Sequence, residues 1–226
     1  LRAREQGCSR PLVGGGGALR AARAAGGSTE AAIFPVRSRM ANEDWRGLTV
    51  LYVCPLRALL NNLEPRLNTY AGWLGRRVGL RHGDTSASVR RRLATDRPDI
   101  LLTTPESLEA MLVSTLLTPS ELFADLRTVI VDEIHAVIGS RRGAHLALTL
   151  ERLQAATTAP LVRIGLSATQ KPIEEVARFL VRANDVGAHQ GADCVIVAAG
   201  TRRERALSCH VCGPSPAHEG SCNAGG

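Results

Sequence analysis

The stretch Val129-Ile130-Val131-Asp132-Glu133-Ile134-His135 constrains the fold of this chain more than any other. Three consecutive β-branched residues leave no polar face, so they read as a strand buried on both sides, as inside a parallel sheet. The apolar run then stops at two adjacent carboxylates and a histidine. Open α/β sheets build their ligand sites at the carboxyl ends of their strands. Paired carboxylates there suit a nucleotide site, one holding Mg2+ directly or through water while the next orients an attacking water. Asp and Glu are equally at home in a surface turn after a core strand, so the run alone leaves both readings open.

The rest of the chain repeats the format. Thr49 to Cys54 reads as a buried strand stopped by Pro55, and Arg57 to Leu74 carries apolar residues at helical spacing, interrupted by Pro65. Val78 to Arg81 is a short strand, and Ser86 to Thr95 a basic helix. Asp99 to Thr103 is a strand, followed by a helix from Glu106 to Leu112 that Pro105 can start. Ala144 to Leu153 reads as a helix, Leu161 to Leu166 as a strand, Ile173 to Leu180 as an amphipathic helix and Cys194 to Ala198 as a last strand. Strands alternating with helices at this spacing imply βαβ units, a mostly parallel sheet and right-handed crossovers. Parallel strands align their carboxyl ends, so the clusters that follow four of them should open on one edge of the sheet.

Composition bounds the rest. The 226 residues suit one α/β domain with tails, and 44% hydrophobic content with only 3% aromatic makes its core aliphatic. No apolar run is long enough to span a membrane, and the Arg- and Gly-rich start lacks a signal peptide's apolar segment, so a soluble cytoplasmic protein is expected. The net charge is +7, but residues 30–183 carry 20 basic against 16 acidic side chains, a mild excess that permits a nucleic-acid or nucleotide partner without demonstrating one. The six cysteines read as reduced thiols rather than a disulfide framework. Residues 1–26, with the tetraglycine Gly14 to Gly17, look poorly structured; 27–200 form the domain; 201–226 are an irregular Cys-rich tail.

Four clusters occur in a fixed order: Pro55-Leu56-Arg57-Ala58-Leu59, Thr104-Pro105-Glu106-Ser107-Leu108, Asp132-Glu133-Ile134-His135 and Ser167-Ala168-Thr169. This series resembles the first RecA-like domain of superfamily 2 DEAD/DEAH-type helicases, and among these the Lhr (large helicase-related) group of DNA helicases. Arg81-His82-Gly83-Asp84-Thr85 and Arg142-Gly143-Ala144-His145-Leu146 fit that group as well. The resemblance implies an α/β fold of the RecA-like P-loop NTPase kind, a three-layer sandwich with a mostly parallel central sheet, flanked by irregular N- and C-terminal tails. It implies ATP and Mg2+ as cofactors and single-stranded or duplex nucleic acid as partner, DNA rather than RNA. Asp132 and Glu133 would coordinate Mg2+ and position the hydrolytic water, with His135 a relay. Ser167, Ala168 and Thr169 would couple nucleotide state to domain movement. Pro55, Arg57, Thr104 and the Pro105-Glu106-Ser107 turn would face the phosphates of a strand, with His82 beside them.

The pattern breaks at the ends. A P-loop cradles phosphates on backbone amides, neutralises them with Lys and binds Mg2+ through a hydroxyl. Its place here is filled by Gly26-Gly27-Ser28-Thr29. Gly27 and Thr29 match, and Thr29 would be a metal ligand with Asp132, but Ser28 stands at the Lys position and Ala22 at that of the first Gly. The sole lysine, Lys171, follows Ser-Ala-Thr. A second RecA-like domain is expected by the resemblance and absent from the sequence, which suggests a gene fragment or shifted reading frames. In the tail, Cys209, Cys212, His218 and Cys222 resemble a zinc knuckle, but the His is displaced by one residue and no aromatic stands by to stack on bases; a tail without zinc is the expectation. The implied function is the first motor domain of an ATP-dependent helicase, in truncated or degenerate form. The alternative is a non-catalytic nucleic-acid-binding module that has lost its nucleotide site.

Overall fold

The short apolar runs become the strands of one sheet. A computed structural model of the chain describes residues 17–21, 28–114, 118–167, 173–180 and 194–198. Its strands are β1 (Gly17–Ala21), β2 (Val50–Val53), β3 (Val78–Arg81), β4 (Ile100–Thr103), β5 (Thr128–Val131), β6 (Val162–Ser167) and β7 (Cys194–Ala198), in the order β3-β4-β2-β5-β6-β1-β7. Every neighbouring pair is parallel. Val53 stands level with Thr103 on one side and Val131 on the other, so β2, β4 and β5 end flush. The residues that follow them share one edge.

Buried on both faces, the inner strands β2, β4, β5 and β6 feed two cores. Val50, Tyr52, Ile100, Leu102, Ile130 and Ile164 pack in the cluster that holds the buried residues of α1 (Ser28–Asn42) and α2 (Arg57–Gly72). Leu51, Val53, Leu101, Val129 and Val131 pack instead with α4 (Pro105–Leu112), α5 (Pro119–Leu122), α6 (Arg141–Ala156) and α7 (Ile173–Leu180). Chain direction explains the division. The steps from β1 to β2 and β2 to β3 run one way across the sheet, and all later steps run the other. Right-handed crossovers therefore put their helices on opposite faces. The remaining helix, α3 (Ala87–Thr95), belongs to the second group and lays Leu93 against its core.

Several elements depart from the sequence reading, which contains neither α1 nor the short α5. Gly17–Ala21 is a strand lying between β6 and β7, where irregular chain is expected up to residue 26. It leads into α1, whose apolar face Ala32, Ile33, Val36 and Met40 is buried at helical spacing. Helix α2 also runs unbroken through Pro65, where an interruption is expected; its buried stripe Leu60, Leu63, Leu67 and Ala71 outweighs the backbone bond lost at proline. Close approach decides one glycine: a Cβ at Gly143 would lie 2.3 Å from the Val137 carbonyl oxygen, so only glycine lets α6 start against the turn that follows β5.

Candidate functional site

The turn after β5 brings the carboxylates onto the sheet edge. The Asp132 N–H still belongs to the sheet, donating to the Val53 carbonyl at 2.8 Å. Its side chain bends back to accept the Glu133 N–H at 2.9 Å through Oδ1. Glu133 itself takes a left-handed conformation, φ 50°, before the short 3-10 turn Ile134–Ala136. A glutamate is uncommon there, and such strain gathers at functional sites. His135 Nε2 lies 3.1 Å from Glu133 Oε2.

Tyr52 ties this turn to the start of α1. Its ring is fully buried at the end of β2, and its phenol donates to Asp132 Oδ2 at 2.5 Å. The Thr29 side chain hydrogen-bonds the same phenol. Thr29, Tyr52, Cys54, Arg66, Asp132 and Glu133 thus line one cleft. Burial, with Asp132 adding to it, pushes the Tyr52 hydroxyl well above its ordinary range, so it stays a donor. Burial also raises the Asp132 carboxyl, against the opposing pull of Tyr52, the Glu133 N–H and His135. Glu133 is raised by burial and by Asp132, with His135 pulling the other way. Burial drives the free, buried Cys54 thiol up to about 12, which leaves it unreactive. Arg66 is the guanidinium on this cleft, and it is paired with Glu30 in the first turn of α1. The hydroxyl and carboxylate oxygens gathered here are the hard donors that Mg2+ prefers.

A second cleft opens on the same edge, across the ends of β3 and β4. Arg57, Arg81, His82, Arg90, Thr104, Glu106 and Ser107 line it. Arg57 Nη1 reaches both Asp84 oxygens at 2.8 Å and lies across Gly83, where a Cβ would stand 2.8 Å from its Nη2. His82 is used internally: Nε2 contacts Asn61 Oδ1 at 3.1 Å and Nδ1 accepts the Asp84 N–H at 3.2 Å. Thr104 caps α4, its hydroxyl accepting the Ser107 N–H at 3.3 Å, and Pro105 fills the first helical position. Glu106 pairs with Arg142 at 2.6 Å. Burial opposes its ionisation, but its own N–H, Arg142 and Thr104 hold its carboxyl below the usual range. Pro55 is buried, and its carbonyl accepts from Arg142 at 3.4 Å, linking the ends of β2 and α6.

The structure brings together Thr29, Asp132 and Glu133 in one cleft and Arg57, His82, Thr104, Glu106 and Ser107 in the other. Ser167 ends β6 on the same edge; its hydroxyl is buried and has no hydrogen-bond partner among the described residues. Gly26, Gly27, Ala168, Thr169 and the cysteine-rich tail lie outside the described residues, and of Ser28 only its place at the head of α1 is described. Sequence reasoning missed Tyr52, which lies inside a strand's apolar run and carries no spacing signal, and Arg81, which the β3 pattern absorbs.

A parallel sheet whose α1 start faces an Asp-Glu turn on one edge is RecA-like architecture. The family model for the DEAD/DEAH box helicase matches residues 6–178, and this chain belongs to that family. Within it, the Lhr helicase/probable uracil glycosylase of Mycolicibacterium smegmatis is 46% identical over 169 residues, 68% of this chain and 11% of that protein. The ATP-dependent helicase Lhr-Core of Methanocaldococcus jannaschii is 40% identical over 181 residues, 75% of this chain and 20% of its own length. The chain therefore spans a tenth to a fifth of these relatives. The solved structure of Mycobacterium smegmatis Lhr bound to ssDNA and AMP-PNP aligns with a TM-score of 0.72 at 41% identity, covering 88% of this chain and 25% of that one. The DEAD-box helicase Mss116 bound to ssRNA and UDP-BeF shares the fold, with a TM-score of 0.69 at 18% identity over 86% of this chain and 39% of that one. No helix among the described residues is long and apolar enough to cross a membrane.

Proposed function

We propose that these residues form the first motor domain of an Lhr-like, ATP-dependent DNA helicase. The observation that carries the reading is the joining of Thr29 and Asp132 through one buried phenol, at the start of α1 and the end of β5. Thr29 and Asp132 would hold Mg2+, which on binding offsets the charge of the nucleotide phosphates. Glu133, raised by burial and by its neighbour, is suited to orient and deprotonate the attacking water. His135, paired to it, holds its carboxylate in place. Ser167, with Ala168 and Thr169, would couple nucleotide state to domain movement. The second cleft takes the strand: Arg57, Thr104, Ser107 and the α4 start face phosphates, while His82, Pro55 and Glu106 shape the loops that present them.

Ser28 sets the activity. A serine hydroxyl does not offset the charge of β- and γ-phosphates, and stabilisation of the transferred phosphoryl group is almost wholly electrostatic. We expect little or no ATP hydrolysis from this chain in a turnover assay with single-stranded DNA. Robust hydrolysis that Glu133→Gln abolishes would contradict that expectation while upholding the site.

The same serine favours a second reading, a nucleic-acid-binding module without nucleotide chemistry. A non-hydrolysable ATP analogue separates the two. A rise in melting temperature with Mg·AMP-PNP supports a retained site. No shift, together with salt-dependent binding of single strands, supports the module.

A further inference from the structure

Arg81 closes β3 with a half-buried guanidinium. It lines a small apolar cavity together with Leu93 and Pro98, and it also lines the cleft between the ends of β3 and β4. Arg90, from α3, lines the same cleft and donates from Nε to the Thr85 carbonyl at 2.8 Å. That bond fixes the side chain without offsetting its charge.

The carboxylates nearby are already engaged. Asp84 takes Arg57 at 2.8 Å, and Glu106 takes Arg142 at 2.6 Å. Neither Arg81 nor Arg90 forms an ion pair among the described residues. Two guanidinium charges therefore share one concave surface with no counter-ion, and the hydroxyls of Thr104 and Ser107 line the wall beside them. Burial and the charge of Arg90 both weaken proton binding at Arg81, as expected for a cation held without a partner. A folded chain gains nothing from such repulsion unless an anion relieves it. The anion must be accessible from solvent and rich in acceptor oxygens, since guanidinium forks and hydroxyls all donate.

We infer that Arg81 and Arg90 form a clamp for a phosphodiester of a single nucleic-acid strand, one step along the edge from Arg57. This rests on the reading of the second cleft as the strand surface, and it moves the main charge of that surface from Arg57 to Arg81 and Arg90, neither of which the sequence marks as a strand contact. Arg57 is ion-paired with Asp84; Arg81 and Arg90 have no such partner among the described residues. The basic helix Ser86 to Thr95, which by sequence is an ordinary solvated face, contributes one of its arginines to the cleft.

The test is the salt dependence of binding, read by fluorescence anisotropy of a labelled oligothymidylate. On a single strand, each phosphate that is no longer neutralised by the protein lowers the slope of log K against log salt concentration by about 0.7. The pair Arg81→Gln and Arg90→Gln together release that one phosphate and should lower it by about 0.7, with the melting temperature unchanged. Arg92→Gln removes the same charge from α3 outside the cleft and should leave the slope near that of the wild type. Equal slopes for the double variant and Arg92→Gln would overturn the clamp and leave the strand surface standing. A wild-type chain with no salt-dependent binding of the strand would overturn both.

Discussion

Tyr52 shows how one side chain can hold a site together. A phenol at the end of an inner strand has no water to bond, so it must find partners inside, and it finds Thr29 and Asp132. Tyr52→Phe keeps the ring and removes the donor. It should cost about 1.5–3 kcal/mol in urea unfolding, the worth of a hydrogen bond to a charged group. It should also raise the Asp132 carboxyl further, because the phenol pulls it down; a carboxyl NMR titration reads that shift. Unchanged stability and an unmoved titration would remove Tyr52 from the site. The carboxylates themselves oppose folding at neutral pH. Asp132 and Glu133 both bind protons more tightly folded than unfolded, so the stability they contribute is full below the unfolded carboxyl range and lost as pH rises towards their raised folded values. Asp132→Asn should therefore melt higher than the wild type at pH 7, by a margin that closes on acidification. A margin independent of pH would contradict this account of the turn. At this scale the sequence reveals Asp132 and Glu133 because an apolar run ends on them. It conceals Tyr52 and Arg81 because a strand pattern reports burial and not which atom meets which.

At the scale of elements, the helices and inner strands from residue 50 to 180 are legible from period and punctuation. Pro105 marks a helix start, and the structure places it in the first turn behind the Thr104 cap; α6 instead starts at Arg141 behind the Ser140 cap, three residues before the Ala144 that the apolar period suggests. What is not legible is β1, the helix α1 and the short α5. Glycine and alanine carry no hydrophobic period, and β1 becomes a strand by its pairing with β6 and β7, a tertiary effect that overrides weak local propensity. Element packing also predicts a mutational cost. Gly143→Ala must push the α6 start away from Val137, with its Cβ otherwise 2.3 Å from a carbonyl oxygen. Urea unfolding should show a loss of about 1–3 kcal/mol, the range for overpacking, with no change in m-value. A neutral result would mean that the turn before α6 yields freely.

The whole molecule is a sheet whose edge carries two clefts, one acidic and hydroxyl-lined, the other basic, set side by side because β2, β4 and β5 end flush. Membership of the DEAD/DEAH box helicase family accounts for that layout, and the four ordered clusters made the family legible before any geometry. They could not reveal how far the acidic cleft still serves a nucleotide. On the proposed reading, that depends on a single charge at the head of α1, where Ser28 stands. Restoring a cation there is the most direct test of the nucleotide site. Titration calorimetry with Mg·AMP-PNP should show Ser28→Lys binding at least about tenfold more tightly than the wild type, as a charge-assisted contact to phosphate requires, and Asp132→Ala should abolish the gain. Equal, negligible binding by Ser28→Lys and the wild type would contradict the placement of a nucleotide site between α1 and the Asp132-Glu133 turn.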